Sequence, residues 1–119
     1  GDDYPTSDGT AVRDYINVVD LAKAHIAALK RLISKTNKKS FEYFNIGTGK
    51  GSSVLEIINT FEKVNNIKLN YKIVGRREGD VIAAFADTTI ANKELNWKTE
   101  ISLEESLKSV WKWQQKQSV

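Results

Sequence analysis

Two arginine-containing segments have the residue types and spacing of a ligand site. The first, GRREGD at residues 75–80, places Arg76 and Arg77 between two glycines and Asp80 directly after the second, and it follows a β-prone run. The guanidinium group of arginine is a planar fork of donors that matches phosphate oxygens. A carboxylate beside it can accept hydrogen bonds from two vicinal hydroxyls, as a ribose presents. The segment therefore fits a nucleotide site, and equally an ion-paired surface turn.

The second segment, Arg13-Asp14-Tyr15, favours the nucleotide site. It leads into another β-prone run and adds a second guanidinium group beside an aromatic ring. Two arginines from separate segments can converge on one pyrophosphate. The structural alternative is that Asp14 simply pairs with Arg13.

A glycine-rich segment, GTGKGSS at residues 47–53, suggests phosphate binding only weakly. Glycine-rich turns that lead into a helix can bind phosphate through backbone N–H groups. The spacing here differs from both the P-loop and the dinucleotide-binding patterns, and no acidic residue follows at the distance that a ribose requires. We therefore interpret the segment as a tight strand-to-helix turn.

Composition bounds the remaining possibilities. With 119 residues, 40% of them hydrophobic and 28% charged, the chain fits one small globular domain and is too apolar for a disordered segment. The sequence has no cysteine, which excludes disulfides and thiolate metal sites. Its one histidine, His25, lies on a predicted apolar helix face, so we expect a hydrogen-bonded core residue and no metal site.

The net charge of +3 is too small to indicate a dedicated nucleic-acid arm. The most basic stretch, KRLISKTNKK at residues 30–39, lies at a predicted helix end, where cations complement the helix dipole. We expect this stretch to be solvated. A weak nucleic-acid binder that uses it would show a steep salt dependence.

The apolar pattern predicts alternating strands and helices. The predicted strands are residues 15–19, 40–46 and 69–74. The predicted helices begin after caps at Asp20, at Ser52 or Ser53 with Glu56 completing a capping box, at Asp87 and at Ser102. The first of them spans residues 20–35. This order predicts an α/β (α+β-like) small domain, in which short sheet strands pack with about four helices.

Four motifs together identify a family. In order along the chain they are DGTAVRDYINVVDLAKAHIAAL, FNIGTGKGSSVLEII, RREGDV and LNWK. From Gly1 to about Gln114 the chain resembles the C-terminal part of the UDP-glucose 4-epimerase (UDP-galactose 4-epimerase) family, in the extended short-chain dehydrogenase/reductase superfamily. Two positions depart from the usual motif, namely Ala11 in place of glycine and Asn17 in place of histidine.

The resemblance implies a two-part enzyme. A Rossmann domain binds NAD and carries a catalytic Tyr-x-x-x-Lys motif, and a smaller C-terminal domain binds the UDP-sugar. Such an enzyme interconverts UDP-glucose and UDP-galactose through an NAD-dependent 4-keto intermediate, and it is expected to be cytoplasmic and homodimeric. Residues 1–119 would be the C-terminal substrate-binding domain fragment, with the N-terminal NAD-binding domain absent.

The resemblance also assigns roles to residues. The arginines that match Arg13 and Arg77 contact the diphosphate, and the aspartate that matches Asp80 binds the uridine ribose. Tyr15 lies near the nucleotide pocket. Ala84 stands where a bulky aromatic residue restricts the pocket to hexoses, so the resemblance also leaves open a UDP-N-acetylglucosamine 4-epimerase.

This chain carries no catalytic residue that the resemblance could supply. The residues four positions after its tyrosines are Asp8, Val19, Gly47 and Gly75, so no Tyr-x-x-x-Lys motif occurs. No G-x-x-G-x-x-G cofactor loop occurs either. Methionine is absent, even at position 1, which suggests an internal or C-terminal piece, the alternative being a processed N-terminus. We expect the chain alone neither to hold NAD nor to catalyse epimerisation. A stand-alone, non-catalytic nucleotide-binding module is the remaining alternative.

Overall fold

The computed structural model describes residues 1–117, which form a three-stranded sheet and four helices. The strands are β1 (Val12–Arg13), β2 (Ser52–Ser53) and β3 (Ala83–Ala84). The helices are α1 (Val18–Ile33), α2 (Val54–Asn65), α3 (Thr89–Glu94) and α4 (Leu103–Gln117). The predicted fold class, α/β with a short sheet and about four helices, is confirmed. Within the described residues no helix is long and apolar enough to cross a membrane.

Strand β1 occupies the centre of the sheet. It pairs antiparallel with β2, where Arg13 lies opposite Ser52, and parallel with β3, where Arg13 lies opposite Ala84. Each strand has only two residues, so few backbone ladder bonds join the three segments. The sheet therefore brings three distant parts of the chain together at Arg13. Side-chain hydrogen bonds supply much of what holds these parts in place.

The predicted strand at residues 15–19 is wrong. The chain leaves the sheet after Arg13 and enters α1 at Val18, because the side chain of Asn17 caps that helix by accepting a hydrogen bond from Val19 N at 2.8 Å. The predicted cap, Asp20, lies in the first helical turn and is fully buried. Its Oδ2 accepts hydrogen bonds from the backbone N–H groups of Glu100 (3.1 Å) and Ile101 (3.0 Å), which ties α1 to the segment before α4.

The caps predicted for α2 and α4 are confirmed. Ser53 Oγ accepts from Glu56 N at 3.0 Å while the Glu56 carboxylate accepts from Ser53 N, which completes the capping box. Ser102 Oγ accepts from Glu105 N at 3.1 Å. The two helices then pack together, with the rings of Phe61 and Trp111 edge to face at 5.8 Å.

The cap predicted for α3 is displaced by one residue. Thr88 occupies the cap position but makes no capping bond with its side chain. The carboxylate of Asp87 instead accepts hydrogen bonds from the backbone and the hydroxyl of Thr89, at 3.1 and 2.7 Å. Asp87 therefore supports the start of α3 from just outside it.

The predicted strands at residues 40–46 and 69–74 are wrong, because neither segment pairs with another strand within residues 1–117. Segment 40–46 keeps the alternation of a strand, because Phe41 and Tyr43 are 76% and 81% exposed whereas Phe44 and Ile46 are half-buried. A period of two fixes which face each side chain occupies, but it does not supply the neighbouring backbone that makes a strand.

The core is smaller than the apolar pattern of α1 suggests. Its buried residues are Ala24, Ala91, Leu95 and Trp97. On α1 the alanines face this cluster, whereas Leu29, Leu32 and Ile33 of the predicted apolar face are more than half exposed. His25 is also exposed, so its predicted core location is wrong, although its Nδ1 does lie 2.9 Å from Leu21 O.

The basic stretch at residues 30–39 is not uniformly solvated, because Arg31 is only 9% exposed. Its Nε and one terminal nitrogen donate to the two carboxylate oxygens of Glu42 at 2.8 and 2.9 Å, and its other terminal nitrogen donates to Glu94 O at 3.0 Å. Lys38 also pairs with Glu94. The hydrogen bonds from Arg31, followed by the one from Lys38 N, lower the pKa of Glu42 from 4.5 to about 2.

We expect the Arg31–Glu42 pair to make folding sensitive to acid. The pKa of Glu42 is lower in the folded chain than its ordinary value, so its contribution to stability is complete above about pH 4.5 and is lost as the pH falls towards 2. In urea unfolding, Glu42→Gln should be less stable than the wild type at pH 6, and the difference should shrink between pH 4.5 and 2. The matched control is Glu78→Gln, at an exposed position. A difference that stays constant over this range would contradict the prediction.

Candidate nucleotide-binding site

Two predicted site residues, Arg13 and Asp80, contact each other beside the sheet. Arg13 leaves the end of β1, and one of its terminal nitrogens donates to Asp80 Oδ1 and to Val81 O, the latter at 2.8 Å. The side chains of Arg13 and Asp80 are 28% and 19% exposed, so the pair is accessible from one side. The pairing of β1 with β3 positions this contact, since Asp80 and Val81 lie just before β3.

Arg77 approaches the same carboxylate oxygen from solvent. Its terminal nitrogen lies 3.6 Å from Asp80 Oδ1, too far for a good hydrogen bond, and its side chain is 84% exposed. The two guanidinium groups of Arg13 and Arg77 thus flank one carboxylate. The hydrogen bond from Tyr4, together with the charge and hydrogen bond of Arg13 and the charge of Arg77, holds the pKa of Asp80 below its ordinary value against the effect of burial. Asp80 is therefore ionised at neutral pH and acts only as an acceptor.

Tyr4 is a member of this cluster that the sequence analysis missed. Its hydroxyl donates to Asp80 Oδ2 at 3.0 Å, and the residue is only 5% exposed. Burial and the hydrogen bond to Asp80 raise the pKa of Tyr4, so the phenol remains protonated as a donor. The one signal in the sequence was an aromatic residue inside the polar segment DDYPTSDGT. The local pattern does not indicate its partner, which lies 76 positions away.

The two neighbouring arginines of the 75–80 segment behave differently. Arg76 turns away from Arg77, and its guanidinium carbon lies 4.2 Å from the centre of the Tyr4 ring. Its Nε donates to Asp3 Oδ1 at 2.8 Å, and a terminal nitrogen donates to Asp3 O. Arg76 is therefore held by the N-terminal segment, whereas Arg77 projects into solvent.

The predicted pairing of Asp14 with Arg13 is wrong, because Asp14 has a structural role with other partners. Its Oδ1 accepts from Thr48 N (2.9 Å) and Thr48 Oγ1 (2.7 Å), and its Oδ2 accepts from Gly49 N (3.1 Å) and Ala86 N (3.2 Å). Burial raises the pKa of Asp14, but these hydrogen bonds outweigh it and leave the pKa below its ordinary value. Asp14 thus joins β1 to the glycine-rich turn and to the end of β3.

This geometry explains the glycines at residues 47–51 without a phosphate. A side chain at Gly47 would overlap the Asp14 carboxylate and would place its Cβ 2.8 Å from the Cβ of Ala86. Gly49 has φ +75°, which favours glycine. The N–H groups of Thr48 and Gly49 already serve Asp14, so the turn does not fit the pyrophosphate of a dinucleotide such as NAD. Our interpretation of the segment as a tight turn is consistent with these contacts.

The other two predicted site residues, Tyr15 and Ala84, have different surroundings. Ala84 is exposed and lies directly across the parallel strand pair from Arg13. Tyr15, 40% exposed, instead lines a neighbouring cavity of about 390 Å³ together with residues of the glycine-rich turn and of segment 99–104. Within residues 1–117, no group of three or more histidine, cysteine, aspartate or glutamate side chains is placed to hold a metal ion.

Comparison with known proteins decides the family. The sequence profile of the GDP-mannose 4,6 dehydratase family matches residues 1–110. The chain belongs to this family. Within it, the mouse UDP-glucose 4-epimerase is 49% identical over 114 residues, which are 96% of this chain and 32% of the mouse protein.

Solved epimerase structures have the same fold as this family member. The UDP-glucose 4-epimerase of Stenotrophomonas maltophila, with bound NAD and formylated UDP-arabinopyranose, superimposes with a TM-score of 0.93 at 46% identity. The match covers 99% of this chain and 34% of that enzyme's chain. The enzyme from Bifidobacterium longum, in complex with NAD+ and UDP, gives a TM-score of 0.89 at 46% identity, with coverages of 98% and 33%. The chain spans about a third of the length of these relatives, and the resemblance to epimerases of the short-chain dehydrogenase/reductase superfamily is confirmed.

Asn17, which departs from the usual family motif, keeps a structural role. Besides capping α1, its side-chain nitrogen donates to Ser106 Oγ at 3.0 Å and so connects the start of α1 to α4. An asparagine can perform both tasks because its amide group is at once a donor and an acceptor. Asn17 therefore both caps α1 and links it to α4.

We expect Asp14→Ala to destabilise the chain by about 1–3 kcal/mol, because the N–H groups of Thr48, Gly49 and Ala86 lose their acceptor. The free energy of unfolding in urea measures this loss. Asp87→Ala is the matched control. Among the described residues, Asp87 accepts hydrogen bonds from Thr89, two positions along the chain, so its removal should cost less. Equal losses for the two variants would show that Asp14 does not join the three segments.

Proposed function

We propose that this chain is the UDP-sugar-binding portion of a UDP-glucose 4-epimerase. Arg13 and Arg77 bind the diphosphate, and Asp80 binds the ribose of the uridine. The observation that carries the proposal is the convergence of both guanidinium groups on Asp80 Oδ1, from segments far apart in the sequence. The complexes of two relatives with a UDP-sugar and with UDP support it.

The resting contacts suggest how a nucleotide diphosphate is accepted. Val81 O and Asp80 hold the Arg13 side chain in place, so Arg13 is the preorganised residue of the diphosphate site. Arg77 is largely solvated and can move onto the second phosphate without breaking a tight contact. Guanidinium–phosphate hydrogen bonds are charge-assisted and often bidentate, so they replace the ionic partner that each arginine has at rest.

The activity of the whole protein is part of the same proposal. The epimerase interconverts UDP-glucose and UDP-galactose, uses NAD held by an N-terminal Rossmann domain, and acts as a cytoplasmic homodimer. We assign NAD to the N-terminal domain and not to the glycine-rich turn, because Asp14 occupies the N–H groups of that turn. The chain alone is accordingly inactive and contributes the substrate grip.

Two other functions use the same chain differently. A stand-alone nucleotide-binding module would bind UDP at the same residues, and it differs only in lacking a catalytic partner domain. Nucleic-acid binding through residues 30–39 is disfavoured because Arg31 and Lys38 are already paired with Glu42 and Glu94.

We expect isothermal titration to detect UDP binding that Arg77→Ala weakens by about tenfold or more, since hydrogen bonds to charged groups contribute about 1.5–3 kcal/mol. Arg77 is 84% exposed, so its removal should leave the fold intact. Lys68→Ala is the control, because Lys68 is equally exposed and pairs with Glu62 away from the site. If the wild-type chain bound no UDP, or if Arg77→Ala bound it as tightly as the wild type, the proposed function would fail.

The small side chain of Ala84 generates a second prediction, on sugar choice. Ala84→Tyr should weaken binding of UDP-N-acetylglucosamine by about tenfold relative to UDP-glucose, because a bulky ring beside Arg13 narrows the space for the N-acetyl group. Ala83→Tyr places the same ring on the opposite face of β3 and serves as the control. Equal effects of Ala84→Tyr on the two sugars would remove this residue from the specificity site.

A further inference from the structure

Tyr4 lies between the two ends of the arginine loop, which we define as residues 75–80. Its hydroxyl donates to Asp80 Oδ2 at 3.0 Å, and the guanidinium carbon of Arg76 lies 4.2 Å from the centre of its ring. Tyr4 is 5% exposed, whereas residues 75–79 are all exposed. One buried side chain therefore contacts both ends of an exposed loop.

The arginine loop has little support of its own. Among the described residues, one backbone hydrogen bond closes its turn, from Asp80 N to Arg77 O at 3.2 Å. A Cβ added at Gly75 or Gly79 would meet no described atom within 4 Å beyond the adjacent residues. Exposed backbone with few packing contacts opens easily. The position of the loop thus depends on the groups that hold Arg76 and Asp80.

Tyr4 is itself well anchored. Its N–H donates to Gly9 O at 2.9 Å, and its carbonyl accepts from Thr6 N at 2.8 Å, which forms a closed turn. At the end of this turn, Asp8 accepts a hydrogen bond from Ser53 Oγ at the cap of α2. A continuous series of contacts therefore runs from a helix terminus through Tyr4 to the arginine loop.

We propose that Tyr4 is a positioning residue for the nucleotide site. Its ring holds Arg76, which leaves Arg77 as the mobile arginine of the pair. Its hydroxyl occupies Asp80 Oδ2, which turns Oδ1 towards Arg13 and Arg77. The inference deepens the proposed function and rests on it, because the effect of Tyr4 on binding is measured with UDP. Tyr4 acts on the ligand only through Asp80 and Arg76.

The two contacts of Tyr4 can be separated by substitution. Tyr4→Phe keeps the ring under Arg76 and removes the bond to Asp80, whereas Tyr4→Leu removes both contacts. Tyr43 is 81% exposed and lies outside the cluster, so Tyr43→Phe and Tyr43→Leu are matched controls. Cation–π contacts and hydrogen bonds to charged groups are each strong enough for their loss to be measured.

The test combines a binding measurement with a measurement of the loop that needs no ligand. Hydrogen exchange at the amide of Asp80 and tryptic cleavage after Arg77 report opening of the arginine loop, and titration with UDP reports binding. We expect Tyr4→Leu to accelerate both exchange and cleavage by about tenfold and to weaken UDP binding by a similar factor. Tyr4→Phe should give a smaller change in each, and the Tyr43 variants none.

The two readouts distinguish failure of this inference from failure of the proposed function. If Tyr4→Leu left exchange and cleavage unchanged, or loosened the loop without weakening UDP binding, Tyr4 would not be a positioning residue. If the wild-type chain bound no UDP, the proposed function would fail, while exchange and cleavage would still decide whether Tyr4 holds the loop. Should Tyr4→Leu fail to fold, Tyr4→Phe and Arg76→Ala carry the same comparison, and unchanged exchange in both would overturn the inference.

Discussion

Carboxylates that bind distant segments hold this chain together, because its sheet is too short to do so. Three strands of two residues each offer few backbone bonds. Asp14 joins β1 to two loops, and the buried Asp20 joins α1 to the segment before α4. Asp80 joins β1 to the N-terminal turn through Arg13 and Tyr4. A carboxylate suits this task because its two oxygens accept several hydrogen bonds at once.

The candidate site is a consequence of this arrangement. Arg13 ends β1 and Asp14 follows it directly, and successive side chains of an extended chain point to opposite sides. Asp14 is directed to the glycine-rich turn, and Arg13 is directed to Asp80. The residue that joins distant segments, Asp14, is therefore the direct neighbour of Arg13, which we propose to bind the diphosphate. The contacts of Asp14 also help to position Arg13.

Sequence patterns predicted what depends on neighbouring residues. The caps at Ser53 and Ser102 follow from local spacing. The residue types of the two arginine segments likewise predicted a shared site. Contacts across the chain left no such pattern. Tyr4 was missed because its partner is remote, and segments 40–46 and 69–74 have strand-like sequences without a described neighbour. The start of α1 was misplaced because Asn17, a weaker signal inside a β-prone run, caps it.

The pairing of Arg13 with Asp80 gives the site its own counterion. Without ligand, the arginine and the carboxylate neutralise each other, so the cluster stays assembled and attracts stray anions less than two free arginines would. A lone phosphate that took Arg13 would leave Asp80 short of a partner, and a nucleoside without phosphates would leave the arginines unmatched. In the proposed function, a molecule that carries both a diphosphate and a vicinal diol supplies new partners for Arg13 and Asp80 together. We therefore expect the ion pair to favour ligands that carry both groups over ligands that carry only one.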